Sequence, residues 1–253
     1  TFKWFLTKHE SGRFALDYLE NRSVDQAVCE QFKLGYAPSD RSWLHAFLRK
    51  KGYTDDFLAF SGLFSRNYEH SALFADRLIF PIHDIRGRVI AFGARILKGD
   101  GPKYLNSPET AIFSKQTTLF GLSLASKAIR EKKQALLCEG YMDVIAWHRA
   151  GINHAVAPLG TAFTAGQAAL IKRFAPEIVF GFDSDEAGVK ATERALIVSE
   201  HEGLVARVLR LSGAKDASEI LEKAGLEELK KSSDSTITAD DFIVERAILL
   251  HDV

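Results

Sequence analysis

Three short acidic segments carry the residues best suited to chemistry. The first is Glu139-Gly140-Tyr141-Met142-Asp143, directly after the apolar run Ala135–Cys138. The second is Asp183-Ser184-Asp185, after Ile178–Phe182 and followed by Glu186-Ala187-Gly188. The third is Lys215-Asp216-Ala217-Ser218-Glu219, shortly after Val205–Leu209. One acid at the end of an apolar run is commonly a helix N-cap, because its oxygen accepts from free backbone N–H groups. Asp216 taken alone fits that reading as well as any other. Three such segments brought to one place are another matter, since like charges at close range raise one another's pKa. A divalent cation removes the conflict. Magnesium takes carboxylate oxygens and keeps water or phosphate oxygens as its other ligands. The acids therefore imply a magnesium site built for a phosphorylated ligand.

Such acids meet only if the runs before them are neighbouring strands. Runs of four or five apolar residues at 135–138, 154–157, 178–182 and 205–209 alternate with helical stretches at 144–150, 165–174 and 187–200. That alternation predicts βα units and a mostly parallel sheet, whose strand ends are the usual place for a site. The loop Gly160-Thr161-Ala162 leads into the 165–174 helix, where N-terminal amides could meet a phosphate. Upstream, the first 60 residues read as helices, with Phe14, Leu16, Tyr18 and Leu19 on one apolar face and Trp43, Leu44, Phe47 and Leu48 on another. Gly35-Tyr36-Ala37-Pro38 reads as a loop. Residues 78–82 and 89–92 read as a hairpin around Asp84–Arg88. The tail from Ser218 reads as a helix, 232–236 as a linker and 240–250 as a last helix.

The chain has 253 residues, with 33 basic and 33 acidic side chains, so a uniformly basic nucleic-acid coat is excluded. The neutrality conceals polarity. Between Arg77 and Lys115 there are seven basic residues (Arg77, Arg86, Arg88, Arg95, Lys98, Lys103, Lys115) against three acids, whereas 214–253 carries five basic and ten acidic residues. The basic strip suits phosphate contacts, which position a nucleic acid without reading it. Tyr104 is the interleaved aromatic expected to touch a ligand, whereas Phe80, Phe92 and Phe113 are assigned to the core. Two cysteines, Cys29 and Cys138, build neither a disulfide framework nor a Cys-rich zinc site. The eight histidines are scattered, with no pair at ligand spacing. The apolar runs are too short to span a membrane. No secretory signal opens the chain, so a cytoplasmic location is expected. An opening Thr1 suggests a piece of a longer protein.

The Glu139-Gly140 and Asp183-Ser184-Asp185 segments resemble the Glu…Asp-x-Asp signature of the Toprim domain, shared by primases, topoisomerases and some nucleases. Longer strings resemble the DnaG-type bacterial DNA primases: Glu139–Val144, Arg77–Ile82, Gly93-Ala94-Arg95, Pro102–Thr110, Gly160-Thr161-Ala162 and Asp183–Gly188. The resemblance runs from about Ala15 to Glu245. It implies an α/β fold with a Toprim-like, mostly parallel sheet flanked by helices. An N-terminal mixed α+β basic subdomain (1–118) would precede the Toprim subdomain (119–230), and the start of a C-terminal helical subdomain (231–253) would follow. It implies synthesis of short RNA primers from NTPs on single-stranded DNA. Glu139, Asp183 and Asp185 would be catalytic and would ligate two or more Mg²⁺ (or Mn²⁺) ions, with Asp216 and Asp143 in support. Arg95, Lys103, Asn106 and Lys115, with Arg22 and Arg77, would bind nucleotide and template alongside Tyr104. The implied partners are single-stranded DNA, NTPs, an RNA–DNA hybrid, and a replicative helicase reached through a domain outside this chain. A monomer with no zinc in this region is expected. The family has a second Asp in the third acidic segment where this chain has Ser218. Either Glu219 substitutes, or one metal is held less tightly. The alternatives are another Toprim enzyme (a nuclease or topoisomerase fragment), a haloacid-dehalogenase-type phosphatase using Asp183, and a non-catalytic single-stranded-DNA-binding module. Ala187 stands where the phosphatases have Thr or Val.

Overall fold

In the computed structural model, which describes residues 1–211 and 213–251, the chain divides into two units. One comprises residues 1–83 with 88–114, the other residues 84–87 with the chain from Lys115 onward.

The first unit packs helices α1 (Phe2–Lys8), α2 (Arg13–Asn21), α3 (Gln26–Gln31), α4 (Trp43–Lys50) and α5 (Asp55–Ala59) with a four-stranded sheet. Its strands β1 (Gly35–Ala37), β2 (Arg77–His83), β3 (Val89–Ile96) and β4 (Tyr104–Asn106) run antiparallel in that spatial order. From Leu78 to Ile82 β2 is apolar because both of its faces are covered: Leu78, Ile79, Phe80 and Ile82 are all fully buried. The segment read as a loop at 35–38 is instead the edge strand β1, paired with Arg77–Ile79. Its three residues are too few to show a period, and only the pairing reveals it.

The second unit contains α6 (Leu122–Lys132), β5 (Gln134–Cys138), α7 (Tyr141–Arg149), β6 (Ala155–Val156), α8 (Ala165–Lys172), β7 (Glu177–Gly181), α9 (Glu186–His201), β8 (Val205–Leu209), α10 (Ala217–Ser232), β9 (Thr236–Thr238) and α11 (Ala239–His251). The sheet order is β6-β5-β7-β8-β9, parallel except for β9. The core joins Leu137, Ile178, Phe180 and Val208 of the strands to Ile129, Ala168, Ile171 and Leu196 of the helices. Burying each large aliphatic or aromatic side chain contributes roughly 1.5–3 kcal/mol. Cys138 is a fully buried core residue. The stretch 232–236, expected as a linker, ends one helix and enters β9, so 231–251 adds an edge strand to this sheet before α11 begins. Residues 252 and 253 of the expected C-terminal segment lie outside the described residues. Arg246 of α11 pairs with Glu186 and Glu193 of α9 and ties the last helix down.

Candidate active site

The order β5-β7-β8 sets three parallel strand ends side by side, and each is followed by one of the acidic segments. Glu139 follows β5, and its Oε1 accepts from the backbone N–H of Asp183, which follows β7, at 3.1 Å. The β7 and β8 ends are strapped together: Ser184 N–H donates to the Lys215 carbonyl at 3.0 Å, and Ser184 Oγ donates to the Ala214 carbonyl at 3.2 Å. The N-cap reading of the aspartates is correct for two of them. Asp185 Oδ1 accepts from Gly188 N–H at 3.0 Å and caps α9. Asp216 Oδ1 accepts from Glu219 N–H at 2.8 Å and caps α10. Gly188 has a steric reason as well. A Cβ there would lie 2.0 Å from the Asp183 carbonyl oxygen, so only glycine lets α9 begin against that backbone.

Asp143 lies in the first turn of α7, and its Oδ1 accepts from Ser218 Oγ at 3.1 Å. Burial pushes its carboxyl up to about 7, helped by the charges of Asp216 and Asp183 and opposed by the Ser218 hydrogen bonds. Glu139 is raised by lost hydration and then by Asp183. Asp183 is raised by burial, with Lys215 opposing. Asp185, more open to solvent, is lowered by Lys215 and by the Gly188 N–H. The Lys215 ammonium bridges Asp183 at 3.2 Å and Asp185 at 2.7 Å. Those pairings raise its own pKa.

Of the two possibilities for the third segment, the geometry disfavours a Glu219 substitution. The Glu219 carboxylate accepts from the Lys215 backbone N–H and from Lys223 Nζ, which lowers its pKa. Ser218, one residue earlier, is the side chain that faces Asp143. Gly160, Thr161 and Ala162 line a cavity of about 310 Å³ with Glu139 and Arg194. At α8 the expected free amides are partly used, because Thr164 and Gln167 form a reciprocal capping box.

In the first unit, Arg95 of β3 stands opposite Tyr104 of β4, with Gly93 opposite Asn106. The strand alternation therefore puts Arg95, Tyr104 and Asn106 on one face. Arg95 Nη1 donates to Tyr104 Oη at 2.8 Å, and its guanidinium lies over both the Tyr104 and Tyr18 rings. Arg22 covers the same Tyr18 ring. Tyr18 and Arg22 are one helical turn apart at the end of α2, a spacing visible in the sequence, yet Tyr18 reads there only as part of an apolar face. Lys103 is exposed at the start of β4. Lys115 belongs to the second unit, where its carbonyl accepts from Gln167. Arg77 departs from the expected basic surface. It is 7% exposed and donates to the Pro102 carbonyl at 2.9 Å, so its guanidinium braces the 98–102 loop. Phe80 and Phe113 are core residues, as expected.

Residues 1–126 match the family model for the N-terminal domain of the DNA primase catalytic core, and residues 136–221 match a Toprim-like model. The DNA primase of Treponema pallidum is 41% identical over 98% of this chain, which covers 41% of that relative's length. The RNA polymerase domain of Mycobacterium tuberculosis primase DnaG superposes with a TM-score of 0.90 at 32% identity, covering 98% of this chain and 83% of that one. The chain belongs to the DnaG family of bacterial DNA primases. A DnaG catalytic domain solved bound to single-stranded DNA is also similar, with a TM-score of 0.84 and 34% identity over 94% of this chain and 76% of that one. The chain spans about two fifths of the Treponema primase. Membership fixes the α/β Toprim fold and sets aside the phosphatase reading.

As a primase-family site, the Toprim cluster fits hard divalent ions. Its donors are carboxylate oxygens, partly desolvated and mutually repelling, with Lys215 as a paired cation. The cluster is spread out rather than closed. Among the described residues, the group of three whose ligand atoms all lie within 4.8 Å of one another is His45, Asp55 and His70, in the first unit. Reading the segments as strings missed two neighbours of the candidate residues, Lys215 and Tyr18. Lys215 carries a signal, because it stands directly before Asp216 in an otherwise acidic stretch.

Proposed function

We propose that the chain is the catalytic core of a primase that adds ribonucleotides to a growing primer on a single-stranded DNA template. A 3′-hydroxyl attacks the α-phosphorus of an incoming NTP, the new ester bond forms, and pyrophosphate leaves. Glu139, Asp183 and Asp185 would hold Mg²⁺ or Mn²⁺, supported by Asp143 and Asp216. When bound, the ions supply Lewis-acid stabilisation of the attacking and leaving oxygens. Glu139, with its raised pKa, is suited to take the hydroxyl proton. Lys215, which pairs with Asp183 and Asp185, holds the place that bound ions would take between those carboxylates. Arg22, Arg95, Lys103, Tyr104, Asn106 and Lys115 would position NTP phosphates and the template–primer hybrid. The similarity to a DnaG domain bound to single-stranded DNA supports this reading. A monomer acting in the cytoplasm, with a helicase engaged through a further domain, fits the same reading. No helix among the described residues is long and apolar enough to cross a membrane.

The observation that carries the proposal is the meeting of Glu139 with Asp183 at adjacent parallel strand ends, beside a desolvated Asp143. The test is primer synthesis from NTPs on single-stranded DNA by Asp183→Ala and Glu139→Gln proteins whose circular dichroism is unchanged. Activity should fall by at least about two orders of magnitude, far beyond one broken hydrogen bond of roughly 1 kcal/mol. A folded Asp183→Ala protein that primes normally would sink the proposal.

A further inference from the structure

The sequence scatters its histidines, but the fold brings two of them together with a carboxylate, none of which belongs to a motif used above. His45 projects from α4, Asp55 opens α5, and His70 sits in the 65–71 loop, which is closed by Ser65 N–H donating to the Ser71 carbonyl at 2.8 Å. His45 Nε2 and Asp55 Oδ1 are 2.8 Å apart, and the His45 and His70 rings have centroids 4.0 Å apart. One ligand atom from each of the three residues falls within 4.8 Å of the others. The edge of Phe64 packs against the His45 ring and orients it. The set lines a cavity of about 530 Å³ that also receives Glu69 and Asp56.

We propose that His45, Asp55 and His70 form a second metal site, distinct in chemistry from the Toprim carboxylates, for a borderline divalent ion of the zinc class. Two imidazoles and one carboxylate are the donor set such ions prefer, and hard Mg²⁺ is a poor match for it. Ligand atoms around a tetrahedral zinc stand roughly 3.3 Å apart at bonds of about 2.0–2.1 Å, so modest side-chain rotations close this set. The cavity and the exposure of Asp55 and His70 leave room for water at the fourth position. The nearby cation, Arg49 Nε at 3.5 Å from Asp55 Oδ1, is on a half-exposed side chain that can swing into solvent. A bound ion would pin α4, α5 and the 65–71 loop together, so the role is a clamp within the first unit. The proposal runs against the expectation of no zinc in this region, which rested on the cysteine count, the linear spacing of the histidines and the family resemblance.

The test titrates the intact chain with Zn²⁺ in excess Mg²⁺, which occupies the hard-oxygen cluster, and follows imidazole resonances by long-range ¹H–¹⁵N NMR. The His45 and His70 ring nitrogens should shift together and saturate at one equivalent, with the other six histidines unmoved. Zn²⁺ should also raise the thermal midpoint, because an ion that binds only the folded state stabilises it. His70→Gln and His45→Gln should each weaken binding by at least about tenfold, since each removes a ligand outright, a larger change than losing an outer-shell partner. Zn²⁺ that leaves both rings unmoved in the wild-type protein, or that shifts a different pair, overturns the proposal whether or not the variants fold. So does equal affinity in the folded double variant.

Discussion

Replacing Asp143 with Asn should make the metal-free protein more stable at alkaline pH. The Asp143 carboxyl rises from 3.8 to about 7 in the fold, because it is desolvated and faces Asp216 and Asp183. Between those two values the folded chain holds a proton that the unfolded chain has released. The contribution is therefore fully present below about pH 4 and disappears as pH climbs through 7. Each pKa unit corresponds to 1.36 kcal/mol, so the full rise would cost the ionised protein roughly 4 kcal/mol, of which roughly 2 kcal/mol is already incurred at pH 5. Asn is neutral throughout and still accepts from Ser218 Oγ, so the variant escapes this cost and keeps its hydrogen bond. Urea unfolding in chelator at pH 5 and pH 8 measures the effect. The variant's advantage should grow by about 2 kcal/mol between the two pH values. Excess Mg²⁺ should then erase the advantage, because the wild-type carboxylate supplies a charge that the ion can use. An advantage that stays flat with pH would show that Asp143 is not held against its ionisation, and the electrostatic account of the site would fail.

Ser218→Asp would set a carboxylate against Asp143. It should lower the Mg²⁺ concentration for half-maximal priming while destabilising the metal-free chain, and a magnesium titration with parallel melting curves reads both. Glu219→Ala should leave the magnesium midpoint unchanged, since Glu219 is held by Lys223 and the Lys215 N–H; a raised midpoint would mean that Glu219 fills the missing role. Gly188→Ala places a Cβ 2.0 Å from a backbone oxygen that cannot move away cheaply, and should cost at least about 2 kcal/mol in a denaturation assay. Removing charge at Lys103 or Lys115 should weaken single-stranded DNA binding and flatten its salt slope by about 0.7 for each phosphate that is no longer neutralised, measured by fluorescence anisotropy across salt concentrations.

The core of the parallel sheet and its acidic ends were legible because β5 and β7 are mostly buried apolar runs that give way abruptly to Glu139 and to Asp183. Residues 205–209 form the strand as read. The short strands were not legible. Tyr104–Asn106 and Thr236–Thr238 have three residues each, and neither stretch shows a period without its partner. Helix Leu122–Lys132 carries three buried residues among polar neighbours and lacks a side-chain N-cap, so no start signal marks it. At the site, identity was readable but partnership was not. Lys215 meets Asp183 and Asp185 only because the β7 and β8 ends are strapped together through Ser184. Arg77 looked like its neighbours in the basic strip, yet its place at the first residue of β2 turns it inward toward Pro102. His45 and His70 are 25 residues apart in the chain, and their meeting depends on the 65–71 loop folding back.

Asp185 and Asp216 show why the cap reading and the catalytic reading of these acids were never exclusive. Each uses its Oδ1 to hold the first turn of the helix that follows it, which fixes the carboxylate at the strand end. The second oxygen of Asp185 meets Lys215 and so remains in the charged cluster. The helix start is therefore the device that would aim the proposed ligand, and the local folding signal and the proposed functional group share one side chain. Asn preserves a cap almost fully, whereas Ala forfeits about 1 kcal/mol of helix stability along with the charge. Loss of activity in an Asp→Asn protein thus reports charge and ligation alone. The further loss from Asn to Ala reports how much the site depends on its helix being properly begun.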